Sequence, residues 1–238
     1  TSGIYVRGGG SDQNLILLDD VPVYNVNHLF GFFSVFNGEA VNSATIYKAG
    51  FPARYSGRLS SVIDIRMKEG NNREFHGAAS VGLISSDITL EGPIIKDRTS
   101  FIISARRTYL DLVSYPVQYL INLNQNNDSF FGYYFQDLNA KINHKFSDRS
   151  RIYLSTYAGK DEFYIRETHS MSYIYDPDDN TEEYKTRTGF NWGNFTSSLR
   201  WNYIWTDRFF SNLTFSYSNY RFTNFEEHHF DNLELPDE

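Results

Sequence analysis

Residues 195–205 read Phe-Thr-Ser-Ser-Leu-Arg-Trp-Asn-Tyr-Ile-Trp, and large apolar side chains recur along this stretch at even spacings. Successive side chains of a β-strand point to opposite faces. This period-two pattern therefore predicts a strand with one apolar and one polar face. The apolar face carries Phe195, Leu199, Trp201, Tyr203 and Trp205 together with Ser197. The polar face carries Thr196, Ser198, Arg200 and Asn202.

The same alternation extends over most of the chain after about residue 75. Residues 137–146 place Asp137 and Lys141 opposite Leu138 and Ile142. Several of the alternating segments exceed the roughly 9–11 residues that a strand needs to cross a bilayer. We predict about six antiparallel strands, at residues 76–95, 98–107, 133–147, 149–165, 189–206 and 208–223.

The connections between the predicted strands also alternate in length. Three tight turns have Asp-Arg at their centre, at residues 96–98, 147–149 and 206–208. Long polar stretches lie between them at residues 108–132 and 166–188, and a further one begins near residue 224. Short turns on one side and long loops on the other are typical of an outer-membrane β-barrel. The alternative is a soluble β-sandwich, whose apolar face would turn inward to a core.

Composition excludes several classes of protein. Aromatic residues make up 17% of the 238 residues, which favours strands and suits a membrane–water boundary. The net charge of −7 argues against nucleic acid as a partner. The chain has no Cys, so it has neither a disulfide framework nor a thiolate metal site. No apolar run is long enough for a transmembrane helix.

Residues 1–75 have a different sequence pattern, in which short apolar runs are interrupted by Gly, Asn and Asp. Leu15–Leu18 is an apolar run that stops at Asp19-Asp20, and Val21–Tyr24 follows. We interpret this arrangement as a hairpin around an acidic turn. Further strands are expected at residues 39–47 and 59–68, which gives a small, compact mixed domain.

These N-terminal motifs resemble a known family. Ile-Tyr-Val-Arg-Gly-Gly at 4–9 and Leu-Ile-Leu-Leu-Asp-Asp-Val-Pro-Val-Tyr at 15–24 are similar to the plug of TonB-dependent outer-membrane receptors. Residues 51–65 resemble the motif that closes this plug, although Ser56-Gly57 and Ser60-Ser61 depart from it. Residues 29–37, together with Glu91-Gly92-Pro93, resemble the branch that carries a carboxypeptidase-regulatory-like N-terminal domain.

The resemblance implies a division of the chain into two parts. Residues 1–75 would be the C-terminal part of an α+β plug domain. Residues 76–238 would be the N-terminal strands, with long extracellular loops, of a transmembrane β-barrel of about 22 strands. Six strands cannot close such a barrel, and lipid does not tolerate open sheet edges. We therefore expect this chain to be a piece of a larger transporter.

The function implied by the resemblance is capture of an extracellular ligand and its import across the bacterial outer membrane. The implied partners are outer-membrane lipid, the TonB complex through a segment outside this chain, and a surface lipoprotein. Two alternatives remain open: a soluble β-rich adhesin or glycan-binding module, and a passive porin-like channel. The ligand itself is not indicated by any residue.

No enzyme chemistry, cofactor or metal is expected. Gly8-Gly9-Gly10 suggests a phosphate loop, but Gln13 stands where a third glycine would be needed, and a tight turn explains the glycines better. Residues 176–180 only partly fit a calcium loop, because Thr181 and Arg187 occupy its glycine and glutamate positions. His228-His229 would point to opposite faces of an extended chain.

Charges near the junction of the two parts are candidates for ion pairing. The resemblance implies Arg–Glu pairs between plug and barrel wall, with Arg7–Glu91 preferred and Arg54–Glu91 second. Separate solvated charges in a wet lumen are the alternative. Arg58 lies in the same plug motif as Arg54.

Candidate ligand contacts come from two places. Tyr24, Asn25, Asn27 and His28 follow a predicted strand end in the plug. Arg106, Arg107 and Tyr109 lead from the second barrel strand into the first long loop. Phe30, Phe32 and Phe33 are expected to belong to the plug core.

Overall fold

The computed structural model describes residues 4–48, 50–55, 57–125, 128–172 and 181–230. It is mainly β, as predicted. The described residues form a small four-stranded sheet, a large seven-stranded sheet and a two-stranded ribbon. The described part of the chain holds one α-helix, and no helix there is both long and apolar enough to cross a membrane.

The small sheet and the ribbon make up an N-terminal inner domain, residues 4–68. The small sheet has the order β2-β1-β6-β5, with β1 and β6 parallel. Its strands are β1 Asn14–Leu18, β2 Val21–Pro22, β5 Val41–Tyr47 and β6 Ser61–Met67, and the ribbon pairs β3 Asn27–His28 with β4 Phe33–Ser34. Short 3-10 helices lie at Ser11–Gln13 and Leu29–Gly31.

The acidic hairpin predicted at Asp19-Asp20 is confirmed. Leu18 pairs with Val21, so the loop has two residues, and both have positive φ, 46° at Asp19 and 72° at Asp20. Positive φ at both central positions defines the turn whose twist matches a two-residue hairpin. Asp tolerates this conformation better than most side chains do.

The large sheet forms a wall of seven antiparallel strands in chain order. Tight turns join β8 to β9, β10 to β11 and β12 to β13, as the Asp-Arg motifs predicted. The strands are β7 His76–Val81, β8 Ser85–Ile95, β9 Thr99–Thr108, β10 Ser129–Ser147, β11 Ser150–Ser172, β12 Thr181–Thr206 and β13 Phe209–Phe230. Within the described residues, β7 and β13 each pair on one side only, so the wall is open.

Two features of the wall differ from the expectation. The segment 76–95, predicted as one strand, is the hairpin β7–β8, because the chain reverses at Gly82 and the Gly82 N–H donates to the Ser85 carbonyl. Much of the predicted polar loop 166–188 is strand, since β11 and β12 continue to pair out to Ser172 and Thr181. Polar composition alone does not distinguish such an extension from a loop.

The predicted loop 108–132 contains the helix α1, Leu110–Gln125. The helix runs beside the part of β10 that extends past the end of β9. Pro116 lies inside the helix.

Burial in the wall is the reverse of that in a soluble protein. On β10, Asn139 and Lys141 are 3% and 2% exposed, whereas Leu138 and Ile142 are 47% and 42% exposed. The polar face packs against the inner domain, and the apolar face is open. A soluble β-sandwich requires the opposite arrangement. The core of the inner domain comes from β1 and β6, with Tyr157 of the wall packed against it.

Gly70 lies between the inner domain and the wall, where the two parts approach each other closely. Its φ is 78°, and a Cβ there would lie 2.2 Å from the Phe101 carbonyl oxygen. We expect Gly70→Ala to lower the free energy of unfolding by at least about 1–2 kcal/mol, the cost of a left-handed conformation, before the clash is added. Thermal unfolding of the complete protein measures this.

Gly38→Ala is the matched control, because Gly38 does not have positive φ and a Cβ there meets nothing within 4 Å. Equal stability of the two variants would contradict the close approach at Gly70.

Candidate functional site

The contact between inner domain and wall centres on His28, at the end of β3. Its side chain is 1% exposed and lies between two carboxylates of the wall. Nδ1 is 2.6 Å from Asp161 Oδ1, and Nε2 is 2.9 Å from Asp137 Oδ1. The imidazole stacks on the ring of Phe135, with centroids 4.0 Å apart.

This geometry specifies the charge of His28. A neutral imidazole has one donor and one acceptor nitrogen, whereas both nitrogens here face ionisable oxygen acceptors. Only the imidazolium donates to both. Burial by itself would lower the pKa of His28, but the hydrogen bonds and charges of Asp137 and Asp161 outweigh it and raise the pKa above 6.5.

Arg106 and two tyrosines complete the network around His28. Arg106 donates to Asp137 Oδ2 through Nε at 3.0 Å and Nη2 at 2.6 Å. The Tyr157 hydroxyl donates to Asp137, and the Tyr133 hydroxyl donates to Asp161. Two cations and two anions therefore balance in one buried cluster, which is the condition for burying charge at acceptable cost.

The network also holds the backbone that follows His28. The Leu29 N–H donates to the Tyr133 hydroxyl at 2.6 Å, and Leu29 has a φ of 46°. Arg106 Nη2 donates to the Ser34 carbonyl of β4 at 2.7 Å. Both strands of the ribbon are thus bonded to the wall.

The acidic hairpin makes the second contact, through Asp19. Lys141 of β10 is 2% exposed, and its Nζ lies 3.0 Å from Asp19 Oδ2. The same amine donates to the Met67 carbonyl, and the Ser155 hydroxyl donates to Asp19 at 2.6 Å. Asp19 also accepts the Met67 N–H, so its carboxylate joins β6 to the wall.

Asp20 makes the third contact. Its carboxylate pairs with Arg66 of β6 at 2.6 Å and with Arg200 of β12 at 3.4 Å. Burial would raise the pKa of Asp20, but the two guanidinium groups outweigh it and lower the pKa below 3.8. The Arg200 guanidinium also lies over the Tyr153 ring, 4.4 Å from its centroid.

A cavity of about 750 Å³ lies between the inner domain and β12–β13. Its aromatic side chains come from both parts, and Asn25 and Asn27 add amides. The backbone of Asn25 is bonded to the wall, because the Asn194 side chain donates to the Asn25 carbonyl at 2.7 Å. The aromatic residues are Tyr5, Tyr24, Phe190, Trp192, Tyr220 and Phe222.

The seven candidate ligand contacts are divided among three places. Tyr24, Asn25 and Asn27 line the cavity. His28 and Arg106 belong to the buried ion network. The other two lie away from the cavity: Arg107 is exposed and lies over the Tyr134 ring, and Tyr109 donates to the Gly82 carbonyl at the β7–β8 hairpin.

The structure does not bring the proposed Arg–Glu partners together. No ion pair joins Arg7 or Arg54 to Glu91 within the part of the chain that the structure describes. Arg7 is exposed, and Arg54 donates to the Tyr55 hydroxyl at 2.7 Å. Glu91 borders a polar cavity of about 510 Å³ near Arg66, Lys141 and Arg200.

Two of the remaining candidates lie in ordinary local contacts. Gly8 has a φ of 74°, which fits a turn. His228 pairs with Glu226 at 3.2 Å. Residues 176–180 lie outside the described residues. No group of three or more His, Asp or Glu among the described residues could hold a metal ion.

The principal contacts missed from the sequence are Asp137, Lys141 and Asp161. One feature of the sequence could have identified them: each is a charged residue on the polar face of a predicted strand that is long enough to cross a membrane. Ionisable groups at such depth are expensive and need partners. The sequence does not indicate their partners, because these lie more than 100 residues away in the chain.

Residues 1–61 match the family model TonB-dependent Receptor Plug Domain. The siderophore receptor PirA from Acinetobacter baumannii is 15% identical with a TM-score of 0.46, covering 91% of this chain and 41% of that one. PirA from Pseudomonas aeruginosa is 17% identical with a TM-score of 0.44, covering 95% and 43%. The chain spans less than half the length of these receptors. No curated protein matches it.

The ion network predicts a pH-dependent contact. The raised pKa of His28 makes its contribution complete below pH 6.5 and lost as the pH rises through the folded-state value. We expect amide exchange in residues 27–34 of the complete protein, corrected for intrinsic rates, to lose protection over this rise. Hydrogen–deuterium exchange with mass spectrometry measures it.

His28→Gln should remove this pH dependence and weaken protection at low pH by about 3–5 kcal/mol, which is roughly 100-fold or more in exchange rate. His76→Gln is the control, because His76 is half exposed. Unchanged protection in His28→Gln would show that the imidazolium does not hold the ribbon.

Lys141 and Asp19 should be coupled. Lys141→Met leaves the Asp19 carboxylate buried without its cation, and we expect a loss of about 3–5 kcal/mol in the free energy of unfolding. Adding Asp19→Asn should recover part of this loss. Lys145→Met, which removes the pair with an exposed carboxylate at Asp148, should cost less than about 1 kcal/mol. Strict additivity of Lys141→Met and Asp19→Asn in thermal unfolding would contradict the pairing.

Proposed function

We propose that this chain, whose residues 1–61 match the model of the TonB-dependent receptor plug domain, combines such a plug with part of the wall of an outer-membrane transporter that binds an extracellular ligand and imports it. The observation that carries the proposal is the inverted wall, with a polar face bonded to the plug and an apolar face left open. Strands that alternate in this way are those of a barrel in lipid. A soluble adhesin or glycan-binding module would bury the apolar face.

The ion pairs favour energised transport over a passive channel. Opening a passage along the wall requires the plug to separate from it, at least locally. That separation would leave His28, Asp19 or Lys141 without a partner, and each broken buried pair costs several kcal/mol. An unaided plug would therefore stay in place. Work supplied from the inner membrane through TonB is the family's means of overcoming such a barrier.

The ligand would bind in the cavity between plug and wall. Clefts that combine aromatic surface with a few polar groups are the usual form of ligand sites. Tyr24, Asn25 and Asn27 are the plug's contribution, and Tyr220 and Phe222 are the wall's. No bond chemistry is proposed for this site. The surface lipoprotein partner, the division of the chain at residue 75 and the Arg–Glu pairs stay predictions.

A growth experiment tests the proposal. Cells carrying the complete receptor, and cells lacking it, are grown on ferric chelates, cobalamin, oligosaccharides or peptides as the limiting nutrient. We expect one nutrient to require both the receptor and TonB. Tyr220→Ala should impair growth on that nutrient, because Tyr220 lines the cavity.

Tyr217→Ala is the matched control, since Tyr217 is 58% exposed on the outer face of the same strand. Uptake that persists undiminished without TonB would support the passive channel. A complete protein that stays soluble and monodisperse without detergent would rule out the membrane wall.

A further inference from the structure

The helix α1 has its polar and apolar faces reversed. A polar stripe that includes Gln118 and Asn122 faces the wall. Gln118 and Asn122 in this stripe are each 8% exposed. The opposite side carries Val113, Val117 and Leu120, which are 53%, 58% and 65% exposed. In a helix packed on a soluble protein the apolar stripe would face inward.

The polar stripe replaces a missing strand. Beyond the end of β9, the backbone of β10 has no strand partner on that side. Gln118 pairs with both backbone groups of Phe131, at 2.9 Å to the carbonyl and 2.7 Å from the N–H. Asn122 donates to the Ser129 carbonyl at 2.8 Å. The helix thus supplies hydrogen-bond partners to backbone groups at an open sheet edge, which explains why its polar residues face the wall.

The exposed side of α1 carries no charge. Between Asp111 and Asp128 the chain has no Asp, Glu, Lys, Arg or His. Tyr115 and Tyr119 are about half exposed, at 53% and 49%. A water-facing helix of this length would be expected to carry charged residues, and a polar protein partner would leave some complementary charge. An uncharged apolar surface with tyrosines suits the boundary of a bilayer.

The helix α1 lies where the outward face of the wall changes from apolar to ionic, as expected at a lipid–water boundary. The outward face of the wall is apolar at Ile103 and Ile142 and turns ionic at Arg107, which pairs with Asp111 in the first turn of α1. The apolar surface also continues to α1 through the β7–β8 hairpin, where Leu83 is 90% exposed. Tyr109, next to α1, bonds to this hairpin.

We propose that α1 lies at the outer lipid–water boundary, with its uncharged apolar face in the lipid and its polar stripe closing the edge of β10. The occupant of the exposed face is therefore lipid. This inference rests on the proposed function, because it requires the wall to be in a membrane. It assigns to a segment predicted as an extracellular loop the role of a membrane-seated part of the wall.

Site-directed fluorescence in lipid vesicles tests the placement. The chain has no Cys, so a single introduced Cys in a complete receptor freed of other cysteines can carry an environment-sensitive fluorophore. Leu120→Cys probes α1, and Ile142→Cys probes the middle of the wall. Asp148→Cys probes a tight turn, where the Asp148 side chain is 93% exposed. Quenching is measured with lipids that carry a nitroxide near the headgroup or near the chain end.

We expect the Leu120 site to be quenched more by the headgroup-proximal nitroxide, the Ile142 site more by the chain-end nitroxide, and the Asp148 site by neither. A Leu120 site with water-like emission and no quenching, beside a quenched Ile142 site, would overturn this inference and leave the proposed function standing. Stronger quenching of Leu120 by the chain-end nitroxide would overturn the boundary placement. An unquenched Ile142 site would remove the membrane wall itself.

Discussion

The need to pair every charge that leaves water governs how the two parts of this protein fit. Asp19 and His28 of the plug lie against the wall. There Asp19 pairs with Lys141, and His28 pairs with two aspartates. Hydrophobic contact is tolerant of sliding, whereas a buried ion that moves a few ångströms loses its partner. The ion pairs therefore specify the position of the plug more narrowly than apolar packing could.

Much of the wall was predictable because alternation depends on local geometry. The period-two pattern identified strands, their faces and the tight turns, and the inward polar and outward apolar faces agree with it. The pattern failed where the same alternation ran through a turn, as at Gly82. It also failed where strands continue as polar extensions past residues 165 and 189, and at α1, whose polar stripe faces the sheet instead of water.

The candidate site was less predictable, since its members come from distant parts of the chain. The plug segment around Tyr24 and Asn27 was singled out because it follows a strand end, and it does line the cavity. His28 looked equally suited to a ligand, but its partners on β10 and β11 bury it. Sequence spacing indicates which face a residue occupies. It does not indicate which residue of another element comes to lie opposite.

The inverted burial of the wall has an electrical consequence. If the plug of the proposed transporter moved aside, Arg106 would still neutralise Asp137, but Asp161 would lose His28, and Lys141 and Arg200 would lose the acidic hairpin. The vacated surface would fill with water and become polarised along the strands, positive nearer the tight turns and negative farther from them. Such a surface would attract anions near the tight turns and cations farther from them.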